Sequence, residues 1–379
     1  MKRYLLATAI ALPLLSGCAS WFNGEDANQP TPLAAIKQQQ AIRVKWQVSV
    51  PAVKDGIFTP FYDAGTLWLA NEDGRVQAVD ALSGNTVARL ELKHELSAGP
   101  AAADGVLYVG TKTGELLALD AKSGKELWKQ NLTSTLAEPP QLAGKMLLVR
   151  AGDGRLSAFE RASGRQLWTQ WQPMPALTVR ATSPQIKAEG DDVLIAGETG
   201  GKVSVYAVDQ GRQLWQAAVA NPRGASELER VTDVVSQPVF DGRRVCAVAF
   251  QGRTACFEAR GGQLAWAREV GSSRGLSLDD SAVYVTADDG AIWAFDIESG
   301  RNLWKQNGFR YRNVTAPVKL GNQLLVLDGE GYAHLLSPVD GRMVGRSRVD
   351  VSGTMSRPLV LGDIAYVYGK NGTLAALTL

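Results

Sequence analysis

Histidine and cysteine are scarce, with two and three copies in 379 residues. The two imidazoles, His94 and His334, stand far apart and in no metal-ligand spacing. There is no H-E-x-x-H helix, no Walker-type phosphate loop and no G-x-S-x-G nucleophile elbow. No metal or cofactor site is therefore expected, and the chain reads as non-enzymatic. An excess of one charge is missing too. The formal charge is +2, and it falls to zero when Lys2 and Arg3 are set aside with the leader they belong to. A neutral chain of mixed sign has no basic stripe for a phosphate backbone, so no nucleic-acid partner is expected. Long helical periodicity is absent beyond residue 41.

One apolar run stands at the start, in "MKRYLLATAIALPLLSGC". From Tyr4 to Leu15 it is too short to cross a bilayer, and its basic front end and small residues before Cys18 mark an export signal. Leu15-Ser16-Gly17-Cys18 matches the bacterial lipoprotein signal, which predicts removal of residues 1–17 and lipidation of the Cys18 thiol. Acyl chains there would anchor the protein firmly. Ala19 follows, where an Asp would resemble an inner-membrane retention signal, so the periplasmic face of the outer membrane is the expected address. Residues 18–41, rich in Asn, Gln, Pro and small side chains, read as a flexible tether.

What is abundant is repetition. A Gly four residues before a Trp recurs at Gly124/Trp128, Gly164/Trp168, Gly211/Trp215, Gly262/Trp266 and Gly300/Trp304; Gly84/Ala88 and Gly341/Gly345 keep the frame without the Trp. Each unit of about 40 residues holds a weak first strand and an apolar hairpin such as "GVLYVGT" with "ELLALD". A turn, "AKSG", and a strand, "KELWKQNL", complete it. Four antiparallel strands at this period make a propeller blade. The hairpins are Leu67–Asp80, Leu107–Asp120, Leu147–Glu160, Val193–Asp209, Val245–Glu258, Val283–Asp296, Leu324–Ser337 and Ile364–Thr378. Seven are followed by an outer strand, and the eighth by the chain end. Ile42–Val50, "IRVKWQVSV", is a strand with a Trp and no hairpin before it. It is predicted to complete the eighth blade and close the ring, which removes an open strand edge. The expectation is an all-β, eight-bladed propeller over residues 42–379. Each Trp is expected to wedge neighbouring blades by burying its ring on small residues.

The links after the third and fourth outer strands, Trp171–Thr182 and Asn221–Val234, are among the longest in the ring. They follow adjacent blades, and in a four-stranded blade such links share the face of the turn between strands two and three. Long links in an otherwise tight ring are usually functional or disordered. Side by side, these two would form a patch from Leu177, Val179, Arg180, Arg230 and Asp233. Cys246 and Cys256 fall opposite each other in the fifth hairpin. A disulfide and a pair of buried thiols are both open, because a one-residue slip would separate them.

The units "LLALDAKSGKELW", "LSAFERASGRQLW" and "IWAFDIESGRNLW" resemble the pyrroloquinoline-quinone (PQQ) type propeller repeat. Two classes use such blades, quinoprotein dehydrogenases and non-catalytic scaffolds. Quinoproteins carry a vicinal Cys-Cys pair and a calcium site, and this sequence has no Cys-Cys dipeptide. A lipoprotein signal, a tether and eight blades together resemble the BamB family, lipoproteins of the outer-membrane β-barrel assembly machinery. "PALTVR" (Pro175–Arg180) and "ELERVTDVVSQPV" (Glu227–Val239) are similar to that family's two segments that bind the POTRA domains of BamA. The resemblance implies contact roles for Leu177, Val179, Arg180 and Asp233. Val179 stands where Leu is usual, and Val235 where a second acid is expected. It also implies membership of the Bam complex, while exposed blade edges would offer strand addition to unfolded outer-membrane protein clients. A scaffold of another envelope complex and a quinoprotein-like enzyme are the alternatives.

Overall fold

The computed structural model describes residues 29–54, 57–179, 185–190, 192–349, 351, 353 and 357–379. The signal segment, Cys18 and Arg180 lie outside the described residues. The strands form eight antiparallel blades arranged as a propeller. Blade three, for example, runs Gln141–Ala143, Met146–Arg150, Arg155–Glu160 and Gln166–Trp171 from the centre outward. Middle strands are apolar on both faces because a blade lies against each side of them; Leu116 to Leu119 of blade two are all buried. Clusters accordingly cross the seams, as where Cys246, Val248 and Trp266 of blade five meet Leu276, Val285 and Phe295 of blade six.

The eighth blade is completed from the other end of the chain. Arg43–Ser49 pairs antiparallel with Thr373–Thr378, which continues to Ile364–Gly369 and Leu359–Leu361. Trp46 stands opposite Ala376 in this pairing. The same register recurs at Trp128/Ala118, Trp168/Ala158 and Trp304/Ala294. The N-terminal strand is thus a fourth strand in the ordinary sense.

The turn before each outer strand is built by short-range hydrogen bonding. Asp80 Oδ1 accepts from the backbone N–H of Ser83 at 2.8 Å and from its hydroxyl at 2.6 Å. Asp120/Ser123 and Asp296/Ser299 repeat this arrangement. The glycine that follows meets the neighbouring blade. At Gly84 (φ 76°) a Cβ would stand 2.6 Å from the ring of Trp46, and at Gly164 it would stand 2.6 Å from the ring of Trp128. Trp168, Trp215, Trp266 and Trp304 cover Gly211, Gly262, Gly300 and Gly341 in the same way. Each indole N–H donates to the carbonyl three residues before its glycine, for instance Trp128 to Arg161 at 2.9 Å and Trp215 to Ala259 at 2.7 Å. The Trp therefore wedges the blades as expected, with its polar atom satisfied and its ring buried at Trp215, Trp266 and Trp304 and partly buried at Trp46, Trp128 and Trp168.

The two seams without Trp are filled differently. Leu90 and Leu92 approach Gly124 at the first. At the second, the carbonyl of Gln40 occupies the space beside Gly345 where a side chain would sit. That contact revises the expected tether. Gln39 and Gln40 donate to the Val344 carbonyl at 2.8 and 3.0 Å, and Arg346 holds the Ala34 carbonyl. Thr31 pairs with Arg310, and Arg312 Nη1 donates to the Thr31 carbonyl at 2.9 Å. Residues 31–40 are thus strapped along blade seven, because its outer strand carries no Trp to exclude them.

One further feature was not foreseen. Ile57–Phe58, on the way from blade eight to blade one, pairs in parallel with the inner strand of blade two, Leu96–Ala103. Cys246 and Cys256 face each other across the fifth hairpin and form a disulfide, which closes the alternative left open by the sequence.

Candidate functional site

Both long links begin on the face that carries the turns between second and third strands. Gln172 N–H donates to the Gly154 carbonyl in the turn of blade three, and Val219 N–H to Gly201 in the turn of blade four. The two links are clasped by one side chain. Asp233 accepts from Val179 N–H at 2.8 Å and from Gly200 N–H at 2.9 Å. It thereby joins the three-to-four link, the turn of blade four and the four-to-five link. Its own carbonyl accepts from Phe250 at 2.8 Å, which adds the turn of blade five.

The anticipated residues therefore divide by role. Leu177 is 48% exposed and Val179 is half-buried. Arg230 is exposed but turns back on its own link, donating to the Gly224 carbonyl at 3.0 Å and pairing with Glu227 at 3.5 Å. Asp233 is only 2% exposed, so it shapes the patch from beneath. Val235, at the position where a second acid was expected, is buried as well. A carboxylate pointed at two N–H groups is fully engaged within the chain, which is the physical reason it lies inside.

Beneath the clasp lies a cavity of about 510 Å³, whose lining includes Val179, Asp233, Arg150 and Glu198. Arg150 ends the second strand of blade three and Glu198 that of blade four. Arg150 donates to the Gln185 side chain at 3.1 Å and to the Gly197 carbonyl at 2.6 Å. It also pairs with Glu138 at 3.4 Å and with Glu198 at 3.5 Å. Glu138 takes the backbone N–H groups of Gln185 and Ile186 at 2.7 and 2.9 Å. Burial raises the pKa of both Glu138 and Glu198 against the opposing pull of Arg150. Tyr206, which donates to Glu198, is pushed up to about 12 by burial and by that carboxylate. A signal for this cluster was present and unused: "MLLVR" and "VLIAGE" are apolar strands that end on a charge.

Among the described residues no group of three or more His, Cys, Asp and Glu side chains is placed to hold a metal ion. No helix among them is long and apolar enough to cross a membrane.

Comparison with known proteins gives one family. The family described as "Outer membrane protein assembly factor BamB" matches residues 72–306. The chain is 43% identical to an outer membrane protein assembly factor BamB of Pseudomonas aeruginosa over 378 residues, covering 99% of this chain and 98% of that one. It is 36% identical to the Bordetella pertussis protein of the same name over 361 residues, or 95% and 93% of the two chains. The crystal structure of BamB from Moraxella catarrhalis superposes with a TM-score of 0.80 at 21% identity, covering 89% of this chain and all of that one. With a matching family over most of the propeller and full-length relatives above 30% identity, the chain belongs to the BamB family of outer membrane protein assembly factors.

Proposed function

We propose that this protein is an assembly factor for outer-membrane proteins that works as a lipid-anchored, non-enzymatic scaffold. In this reading Cys18 carries the lipid on the periplasmic face of the outer membrane, and the propeller docks the POTRA domains of BamA. The observation that carries the docking is the Asp233 clasp, which ties the two long links together and leaves Leu177 exposed. An apolar residue held outward by a buried hydrogen-bonded frame is preorganised, so little ordering entropy is lost on binding. Arg180 extends the same link and is assigned a polar contact with the partner.

Leu177→Asp tests the reading directly. The variant is expected to fold as wild type, since the side chain is exposed, and to lose BamA in co-purification from solubilised membranes. Undiminished recovery of BamA with both Leu177→Asp and Arg180→Glu would refute the patch. Cys18→Ala should release the protein from the membrane fraction.

A further inference from the structure

The cavity under the clasp is lined by Arg150 and Glu198, and Arg150 also pairs with Glu138, which lies outside the lining. Arg150, Glu138 and Glu198 are 8%, 1% and 9% exposed, so one guanidinium is buried with two carboxylates. The ion pairs are long, and neither Arg150 Nη2 nor Glu138 Oε1 has a hydrogen-bond partner. Glu198 Oε1 takes the Tyr206 hydroxyl at 3.1 Å, while Oε2 has the 3.5 Å contact with Arg150. A buried ionic cluster that is neither neutral nor fully hydrogen-bonded is costly. The wider lining repeats the sign, with Glu72, Glu198 and Asp233 against Lys112 and Arg150. The remaining wall is apolar, including Leu96, Leu136 and Met174. An anionic head would meet the surplus negative charge, and an apolar group would leave that charge uncompensated. A long cationic side chain fits both halves, with its methylene stem on the apolar wall and its head among the acids.

We infer that this cavity receives a lysine or arginine side chain from the partner seated on the patch, with Glu198 as its acceptor. The inference rests on the docking reading above and names the chemistry of its central contact.

Glu198→Gln keeps the shape and removes the charge. Its affinity for a soluble BamA POTRA fragment is expected to fall about tenfold, the scale of one charge-assisted hydrogen bond. Replacing each Lys and Arg of the fragment by Met should then reveal one cation that matters for the wild-type chain and not for E198Q. Wild-type affinity in E198Q, or a scan without such a coupled cation, would overturn the inference. The Leu177→Asp variant separates the two ideas: binding lost in L177D but intact in E198Q leaves the patch standing and removes the cavity. If E198Q does not fold, the wild-type chain still decides. N-acetyl-arginine amide should compete with the fragment, whereas N-acetyl-norleucine amide should not. Equal effects of the two, or none, would sink the proposal.

Discussion

Trp46 of the N-terminal strand lies on Gly84 of blade one and donates its indole N–H to the Ala81 carbonyl at 3.2 Å. The contact seals the one seam that joins the chain's last blade to its first. It rests on a bare glycine, since a Cβ there would enter the ring at 2.6 Å. Gly84→Ala is therefore expected to cost about 2–4 kcal/mol, combining backbone strain at positive φ with overpacking. Gly65→Ala is the control. Its φ is 87° and nothing lies within 4 Å of the added Cβ, so only the strain of about 1 kcal/mol should remain. Equal losses in denaturant titrations would mean that the ring contact contributes nothing.

Three deletions should rank in order. Removing Ile42–Val50 takes away the outer strand of blade eight and Trp46, and should lower the melting temperature most. Removing residues 31–40 uncovers the flank of blade seven and frees Arg312 and Arg346 from their backbone partners, which should lower it by less. Removing residues 19–30 should leave it unchanged. Equal melting temperatures for the first and third would contradict the closure.

Acid should loosen blade seven through a buried pair. His334 Nε2 lies 3.0 Å from Asp328 Oδ2, and both side chains are fully buried. Burial pulls the His334 pKa below 6.5 more than Asp328 lifts it, so the folded state binds fewer protons than the unfolded chain. Its share of stability is complete above pH 6.5 and is lost as pH falls through the depressed folded value. Asp328 is opposed by burial, but hydrogen bonds from His334, the Tyr332 N–H and Arg312 hold its pKa below 3.8. Its contribution is lost only at more acid pH. Unfolding titrations of His334→Gln should lose the slope just below pH 6.5 and weaken the one below 3.8, where the Tyr332 N–H and Arg312 still hold Asp328 down. A wild-type slope in that variant would assign the effect elsewhere.

The fifth hairpin should carry no free thiol. Thiol titration of the denatured, unreduced protein is expected to find none from Cys246 and Cys256. Replacing both by Ala should cost about 2–3 kcal/mol, the entropy of a ten-residue loop. Two reactive thiols would show that the pair is reduced in the native protein.

Much of the ring was legible because its signals are local and repeated. Each blade announces itself by a period-2 apolar hairpin and a Gly-to-Trp step. The surplus strand at Ile42–Val50 could be matched to the hairpin at Ile364–Thr378 simply by counting. The candidate surface was less legible. The two long links stood out by length, but length does not say which side chains turn outward. Asp233 looks like a surface acid in sequence and becomes a buried clasp because Val179 N–H and Gly200 N–H converge on it. Arg150, Glu138 and Glu198 are likewise separate charges until three strands and two links surround them.

The sequence by itself determined the fold class, the number of blades, the closing strand and the Trp residues of six seams, because strand period and turn chemistry act over a few residues. The tertiary structure alone decided that residues 31–40 lie along blade seven, that Cys246 meets Cys256, and that Asp233 is buried while Leu177 is exposed. Most of those outcomes depend on groups brought together from distant parts of the chain; Thr31 meets Arg312 across 281 residues, and Val179 meets Asp233 across 54. Even within the fifth hairpin, a slip of one residue would have parted the cysteines. Such partners are chosen only once the ring has closed and burial leaves each polar group one place to be satisfied.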